Sequence, residues 1–246
     1  MRYLVISDLH SNKEALDAVL EDARGEYDRI VCCGDLAGYA ADPNPVLDWA
    51  RSNLHAVIRG NHDRGCAGLE DLEWFNPTAR AAALWTMAQL TEANFKYLRS
   101  LPRGPLAVDA FQLIHGSPVD EDEYLVSVAD ARNVFPYLET EIAFFGHTHL
   151  QGGYGWVNGQ YHVIGRMEFF QNRLRQRLLP GGQWLINPGS VGQPRDGDGR
   201  AAFALFHPES REVFYRRVAY DYETTRRKIE AAGLPDVLGS RLALGR

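Results

Sequence analysis

At 246 residues, with 45% hydrophobic and 24% charged residues, the chain can bury a substantial core as one large domain or two small ones. A net charge of −6 and a pI near 5.8 argue against broad electrostatic capture of nucleic acid or of an anionic membrane. The three cysteines, Cys32, Cys33 and Cys66, are odd in number and lack C-x-x-C spacing, so neither a disulfide framework nor a cysteine zinc knuckle is expected.

The opening stretch MRYLVISDLH enters an apolar run that Asp8 interrupts, too short for the core of a signal peptide, and no stretch approaches the ~20 apolar residues needed to cross a bilayer. A cytoplasmic protein with no membrane partner is the expectation. RYLVIS (2–7) reads as a buried strand. The apolar spacing of Ala15, Leu16, Val19 and Leu20 predicts a helix capped by Ser11 or Asn12. RIVCC (29–33) is the next strand, NPVLDWARS (44–52) a helix and HAVIR (55–59) a third strand, the alternation of a mainly parallel sheet. Residues 67–100 are rich in alanine and leucine and read as a helical excursion. LAV and FQLIH then suggest a hairpin, ARNVFPYL (131–138) a helix limited by Pro136, and EIAFFG (141–146) a buried strand. QYHVI, QWLIN, AAFALF and EVFYRRV are further strand candidates, with a last helix in 221–232. The segment around 166–182 fits no simple hairpin connection and receives no element. No linker or repeat interrupts the chain, so residues 1–246 are expected to form one domain: an α/β (α+β) fold of two packed sheets with helices outside.

Five successive strand ends carry polar residues next to a glycine or a turn: SDLH, CGDL, RGNHD, IHG and FGHTH. Ligands of open α/β sheets sit beyond the carboxyl ends of strands, so Asp8, His10, Asp35, Asn61, His62, Asp63, His115, His147 and His149 are the candidate site. Each motif alone reads as an ordinary polar loop. Their conjunction does not, because crowding these carboxylates and imidazoles without a cation is costly. In FGHTH, an extended strand would put both imidazoles on one face, whereas a turn would let them diverge toward two centres.

The ordered set Asp8-Leu9-His10, Gly34-Asp35, Gly60-Asn61-His62-Asp63, His115-Gly116 and Gly146-His147-Thr148-His149 resembles the calcineurin-like metallophosphoesterase superfamily. NPGSVG (187–192) extends the likeness, and GDLAGYAADP makes it most similar to the small prokaryotic branch that includes diadenosine-polyphosphate hydrolase-like proteins. The resemblance implies a four-layer sandwich of two mixed β-sheets flanked by helices. It also implies two divalent transition-metal ions: Asp8, His10, Asp35 and His149 around one, and Asp35, Asn61, His115 and His147 around the other. The mixed nitrogen and oxygen donors suit manganese, iron, zinc, cobalt or nickel better than magnesium or calcium, with manganese the first expectation. The activity implied is hydrolysis of a phosphomonoester, a phosphodiester or a nucleotide pyrophosphate bond by a metal-bridged hydroxide, on a phosphorylated small-molecule or nucleotide substrate. His62 would donate a proton to the leaving group, with Asp63 orienting it or raising its pKa. Its alternative role is to support a neighbouring ligand. Arg59 and Arg195 are substrate-phosphate candidates; an exposed strand-end arginine and an ordinary surface turn are their plainer readings. Asn187, Gly189 and Ser190 are expected to form the turn behind the His147–His149 loop. The rival class is a non-catalytic metal-binding scaffold on the same fold, disfavoured because no ligand position is missing. A homo-oligomer is compatible with this sequence, and a nucleic-acid partner is not favoured.

Overall fold

The first apolar run forms β1 (Tyr3–Ile6) in the computed structural model, which describes residues 1–168 and 170–246. There follow α1 (Lys13–Asp22), β2 (Arg29–Cys32), α2 (Pro43–Asn53), β3 (Ala56–Val57) and α3 (Asn61–Cys66). The excursion holds α4 (Pro77–Gln89) and α5 (Glu92–Ser100), after which come β4 (Leu106–Val108), β5 (Phe111–Leu113), α6 (Val128–Val134) and β6 (Ile142–Phe144). The second half adds β7 (Gly152–Val157), β8 (Gln160–Ile164), β9 (Arg173–Arg177), β10 (Gln183–Asn187), β11 (Ala201–His207) and β12 (Glu212–Val218). Two helices close the chain, α7 (Tyr222–Ala231) and α8 (Asp236–Ser240).

The strands make two six-stranded sheets, ordered β3-β2-β1-β11-β12-β9 and β4-β5-β6-β10-β7-β8. In each sheet the pairs nearest the site are parallel (β1 with β2, β2 with β3, β5 with β6, β6 with β10), and the remaining pairs are antiparallel. Period-two alternation in β1 sends Tyr3 and Val5 between the sheets and Leu4 and Ile6 toward the helices. The layer between the sheets is largely aromatic: Phe111, Phe144 and Phe206 meet edge to face with centroids 5.2 to 5.6 Å apart. Helices α1, α2 and α5 cover the outer face of the first sheet, and α6 covers that of the second through Ala131 and Val134 against Phe145 and Leu185. The architecture is the expected sandwich of two mixed sheets with helices outside.

Local departures have identifiable causes. HAVIR pairs over only two residues, and NHD, read only as polar residues at that strand's end, opens α3, with the Asp63 side chain accepting from the Gly60 N–H. The glycine-rich β7 escaped sequence reading because three glycines disguise it. Its Gly155 is required by packing, since a Cβ there would stand 2.4 Å from the Trp184 ring. The arginine stretch 173–177, left without an element, forms the edge strand β9, whose exposed side chains are held by partners such as Glu212 on the neighbouring strand. Cys32, Cys33 and Cys66 are buried free thiols. Among the described residues no helix is long and apolar enough to cross a membrane.

Gln151, just before β7, ties the sheets together. The two N–H groups of its buried amide are shared among the carbonyls of Pro188, Phe203 and Arg216, 3.0 to 3.1 Å away, and its oxygen accepts from Arg217 Nε at 3.1 Å. Gln151→Met keeps the volume but removes the shared donor of three carbonyls and one acceptor of Arg217, whose guanidinium keeps Asp196 and Asp198. It is expected to lower unfolding free energy by about 2–4 kcal/mol, measured by urea denaturation; a loss within error of zero would refute this account of the seam.

Candidate metal centre

Every motif residue lies at the carboxyl end of a parallel strand or in the turn behind it. Asp8 and His10 follow β1, Asp35 follows β2, and Asn61 opens α3 behind β3; these come from the first sheet. His115 follows β5, and His147 and His149 follow β6, from the second sheet. The turns are sharp. Asp8, His10, Asp35, His147 and His149 all have φ between 48° and 63°, a left-handed conformation that non-glycine residues rarely adopt. Each such residue costs roughly 1–2 kcal/mol, so their clustering at one point marks a function that needs inward-facing side chains. Close approach accounts for the flanking glycines: a Cβ on Gly60 would stand 2.1 Å from Asp35 Oδ1, and one on Gly146 2.0 Å from Ser7 Oγ.

The side chains converge in two groups that share Asp35. Asp8, His10, Asp35 and His149 can each place one ligand atom within 4.8 Å of the others, and Asp35, His115 and His147 do the same. All are buried. Backbone carbonyls orient the imidazoles. Nδ1 of His10 faces Ala37 O at 3.1 Å, that of His115 faces Cys33 O at 2.8 Å, and that of His149 faces Gln193 O at 2.6 Å. A carbonyl can only accept, so Nδ1 carries the proton and Nε2 points inward as a bare lone pair. His147 is reversed: its Nε2 faces Asp122 O at 3.1 Å, which leaves Nδ1 as the inward atom.

These inward atoms face one another. His10 Nε2 stands 3.1 Å from His149 Nε2, and Asn61 Oδ1 lies 3.0 Å from His147 Nδ1 and 3.2 Å from His115 Nε2. Asp35 Oδ2 is 3.6 Å from His10 Nε2 and 3.5 Å from His115 Nε2, and among the described residues neither it nor Asp8 Oδ2 has a hydrogen-bond donor. Lone pairs and orphaned carboxylate oxygens packed together require positive charge between them. Burial pushes Asp8 up to about 7, and it drives His10 and His149 well below their ordinary range. Burial works against a charged His115 too, but the Asp35 carboxylate outweighs it and holds that imidazole up at about 9, a proton standing in where cations fit. The donor set, imidazole nitrogens and carboxylate or amide oxygens, suits divalent transition metals.

The surrounding residues divide into supports and walls. Asn187 Nδ2 donates to Gly146 O and Thr148 Oγ1 and Gly189 N donates back to Asn187 Oδ1, the expected brace behind the His147–His149 turn, whereas Ser190 Oγ donates to Asp8 O and so braces the turn after β1 instead. Asp63 requires a correction. Its two carboxylate oxygens accept the N–H groups of Ala37 at 3.0 Å and Gly60 at 3.1 Å, so it fastens the Asp35 loop to the start of α3 and does not orient the His62 ring. The His62 N–H donates to Asp35 Oδ1 at 2.9 Å, and its ring packs among Tyr39, His10 and Phe75 with centroids 4.3, 4.9 and 5.2 Å away. Its Nδ1 is buried against Gly38 with no partner among the described residues, which leaves Nε2 for a ligand. Burial holds this imidazole down at about 4.

Arg59 also differs from expectation. Its Nε and Nη2 grip Glu121 at 3.1 and 2.9 Å, so the guanidinium is committed to the protein and not free for a phosphate. With Arg64, which binds Glu121 and Asp122, it anchors the loop that presents Asp122 O and the Tyr124 ring to His147. Arg195 does lie beside the centre, donating to Tyr39 Oη at 3.2 Å and Gln193 Oε1 at 3.1 Å. A cleft of about 300 Å³ opens over Asn61, His62 and His147, walled by Tyr39, Phe75, Tyr124 and the exposed Trp74. Sequence reading gave Tyr39 and Tyr124 no role, although Tyr39 lies in the GDLAGYAADP stretch, in the same turn as Asp35.

Comparison with known proteins agrees with this geometry. The sequence pattern of the calcineurin-like phosphoesterase superfamily domain matches residues 1–211. The uncharacterized protein MJ0912 of Methanocaldococcus jannaschii is 36% identical over 251 residues, covering 98% of this chain and 97% of that one. The crystal structure of a metallophosphoesterase from Sphaerobacter thermophilus superposes with a TM-score of 0.86 at 38% identity, over 100% of this chain and 99% of that one. The hypothetical protein PH1004 from Pyrococcus horikoshii shares the fold at 20% identity, with a TM-score of 0.79 over 100% and 98% of the two chains. With its motifs gathered at one point and this pattern spanning most of its length, the chain belongs to the calcineurin-like phosphoesterase superfamily.

Proposed function

We propose that the protein is a binuclear-metal-dependent phosphoesterase that hydrolyses a phosphomonoester, a phosphodiester or a nucleotide pyrophosphate bond. The observation that carries this reading is the pair of buried ligand groups joined through Asp35, whose inward atoms are all acceptors. Asp8, His10, Asp35 and His149 would hold one ion, and Asp35, Asn61, His115 and His147 the other. When bound, two such ions supply Lewis acidity toward a phosphoryl oxygen and bring the pKa of a water down toward ~7. Manganese is the first expectation for the metal, with iron, zinc, cobalt and nickel also suited to these donors.

The chain's own groups do the rest. His62 Nε2 lines the cleft and hands a proton to the leaving oxygen. Because burial keeps the ring neutral in the free protein, the negative charge of an arriving phosphoryl group is what raises its pKa and loads the proton. Asp63 keeps Ala37 and Gly60 in register, so that His62 and Asp35 hold their spacing. The rings of Tyr39, Phe75 and Tyr124 keep water from the proton being moved.

Protein purified without chelator is expected to contain up to two divalent transition ions per chain by elemental analysis, and Asp35→Asn to deplete both, because each group uses that carboxylate. Depletion of one alone would break the proposed bridge. His62→Asn is expected to slow hydrolysis of an ester with a poor leaving group by about 10²-fold and to affect a 4-nitrophenyl ester far less. Equal effects on both would remove the general-acid role, and silence of the wild-type protein toward monoesters, diesters and pyrophosphates with every metal would favour a scaffold instead.

A further inference from the structure

A second cavity, of about 310 Å³, lies on the outer face of the second sheet and shares no lining residue with the cleft over His62. Two thin partitions separate them: Leu125 lines the cavity and Tyr124 the cleft, and Leu150 lines the cavity and His147 the cleft. The walls are mostly apolar. Phe145, Leu150, Tyr154 and Met167 line the interior, with Val126 and Val163, both about half exposed, toward solvent. Gly152 and Gly153 add backbone and no side chain, so β7 puts nothing into this space before Tyr154.

The polar groups of this cavity divide into those already engaged and those that are not. Arg217 meets Asp196 at 2.9 Å and Asp198 at 3.5 Å, Arg200 meets Asp198 at 2.6 Å, and the Gln151 N–H reaches Asp196 at 3.3 Å. Both carboxylates are therefore neutralised from within the protein. Two donors are not engaged. The Arg166 guanidinium lines the cavity and makes no ion pair or hydrogen bond with any described residue. Tyr154 is only 8% exposed, with its ring packed among Leu125, Ala131 and Phe145, yet its hydroxyl has no hydrogen-bond partner among the described residues. A buried phenol ordinarily finds such a partner, and the space left to supply one is the cavity. Burial raises the Tyr154 phenol, Asp130 adds to the rise and the Arg166 charge opposes it, so the guanidinium and the hydroxyl are neighbours. Asp130 itself is committed to the N–H groups of Val126 and Ser127 at 3.0 and 2.8 Å.

We propose that this cavity is a binding site for a small amphipathic carboxylate, separate from the metal cleft, with the apolar body among Phe145, Tyr154 and Met167 and the carboxylate on Arg166 and the Tyr154 hydroxyl. The chemistry selects the class. A guanidinium fork matches the two oxygens of a carboxylate, the hydroxyl adds one hydrogen bond, and one unbalanced cation matches one negative charge. Apolar walls with a few convergent polar groups are the ordinary make-up of a small-molecule site, and this one lies at the small end of the range, which limits the body to roughly one ring or a short chain. The site uses no metal ligand, so it stands or falls apart from the phosphoesterase reading. The competing role is a wet packing gap bordered by an arginine whose head stays in water; such a gap is indifferent to the charge of a ligand.

The test is binding of 3-phenylpropionate and hexanoate, each against its uncharged amide, to the full chain by ligand-observed NMR titration. At least one acid is expected to bind about tenfold more tightly than its amide, and Arg166→Gln to bring the two affinities together. Val163→Trp, at an exposed position on the cavity wall, is expected to abolish binding of acid and amide alike; Val126→Trp takes its place if that variant does not fold. Methylphosphonate, a ligand for the metal cleft, is expected not to displace the acid. Failure of both acids to bind, equal affinity for acid and amide, or an acid preference that survives Arg166→Gln overturns the site. So does binding that persists when the cavity is filled or that methylphosphonate displaces, because the acid then sits at the metal centre.

Discussion

The constraint on which the rest depends is the meeting of acceptors at Asp35. A carboxylate, an amide oxygen and imidazole lone pairs point into one dry space, and no donor among the described residues satisfies Asp35 Oδ2. Such an arrangement is stable only with positive charge inside it. The protein has fixed this polarity from outside by giving each imidazole a backbone carbonyl on its far nitrogen. The tautomers are therefore set by main-chain oxygens that cannot change their role, which is a firmer arrangement than one held by titrating side chains.

The fold works to hold this against its own cost. The left-handed turns at Asp8, His10, Asp35, His147 and His149 would relax outward if their loops were free. They are not free. Ser190 holds Asp8 O, Asn187 holds Gly146 O and Thr148, and Asp63 holds the main chain on both sides of His62 and Asp35. The aromatic layer between the sheets and the Gln151 seam then fix the two sets of strand ends relative to each other. Neither sheet alone holds a full ligand group with the second histidine pair; the second group draws Asp35 from one sheet and His115 and His147 from the other.

How much of this was legible in the sequence depended on whether a residue acts through its type or through its surroundings. Ligand residues were legible because carboxylate and imidazole groups beside glycines at strand ends have few other uses, and the buried strands were legible as apolar runs. Strand β7 was hidden because its glycines answer to a tryptophan ring that arrives later in the chain, at Trp184. Arg59 was misjudged because its position promised a phosphate contact, whereas Glu121, far along the chain, had already claimed it. Asp63 was misjudged for a related reason: adjacency to His62 suggested a side-chain pair, but the helix that starts at Asn61 turns the carboxylate toward main-chain N–H groups.

These failures have a common form that separates the site into two parts. The residues that could hold ions sit on the turns after β1, β2, β5 and β6 and at the start of α3. The residues around the cleft come from elsewhere: Phe75 and Trp74 from the helical excursion and Tyr124 from the loop before α6. The excursion and the C-terminal helices also pack on each other and on the loop around Tyr39, so the walls of the cleft are a connected layer laid over the ligand groups. A change in that layer alters what can approach the centre while leaving the acceptors around Asp35 where they are. The clustered carboxylates and imidazoles therefore sit at strand ends, where short motifs reveal them, whereas most of the cleft walls come from segments that no short motif marks.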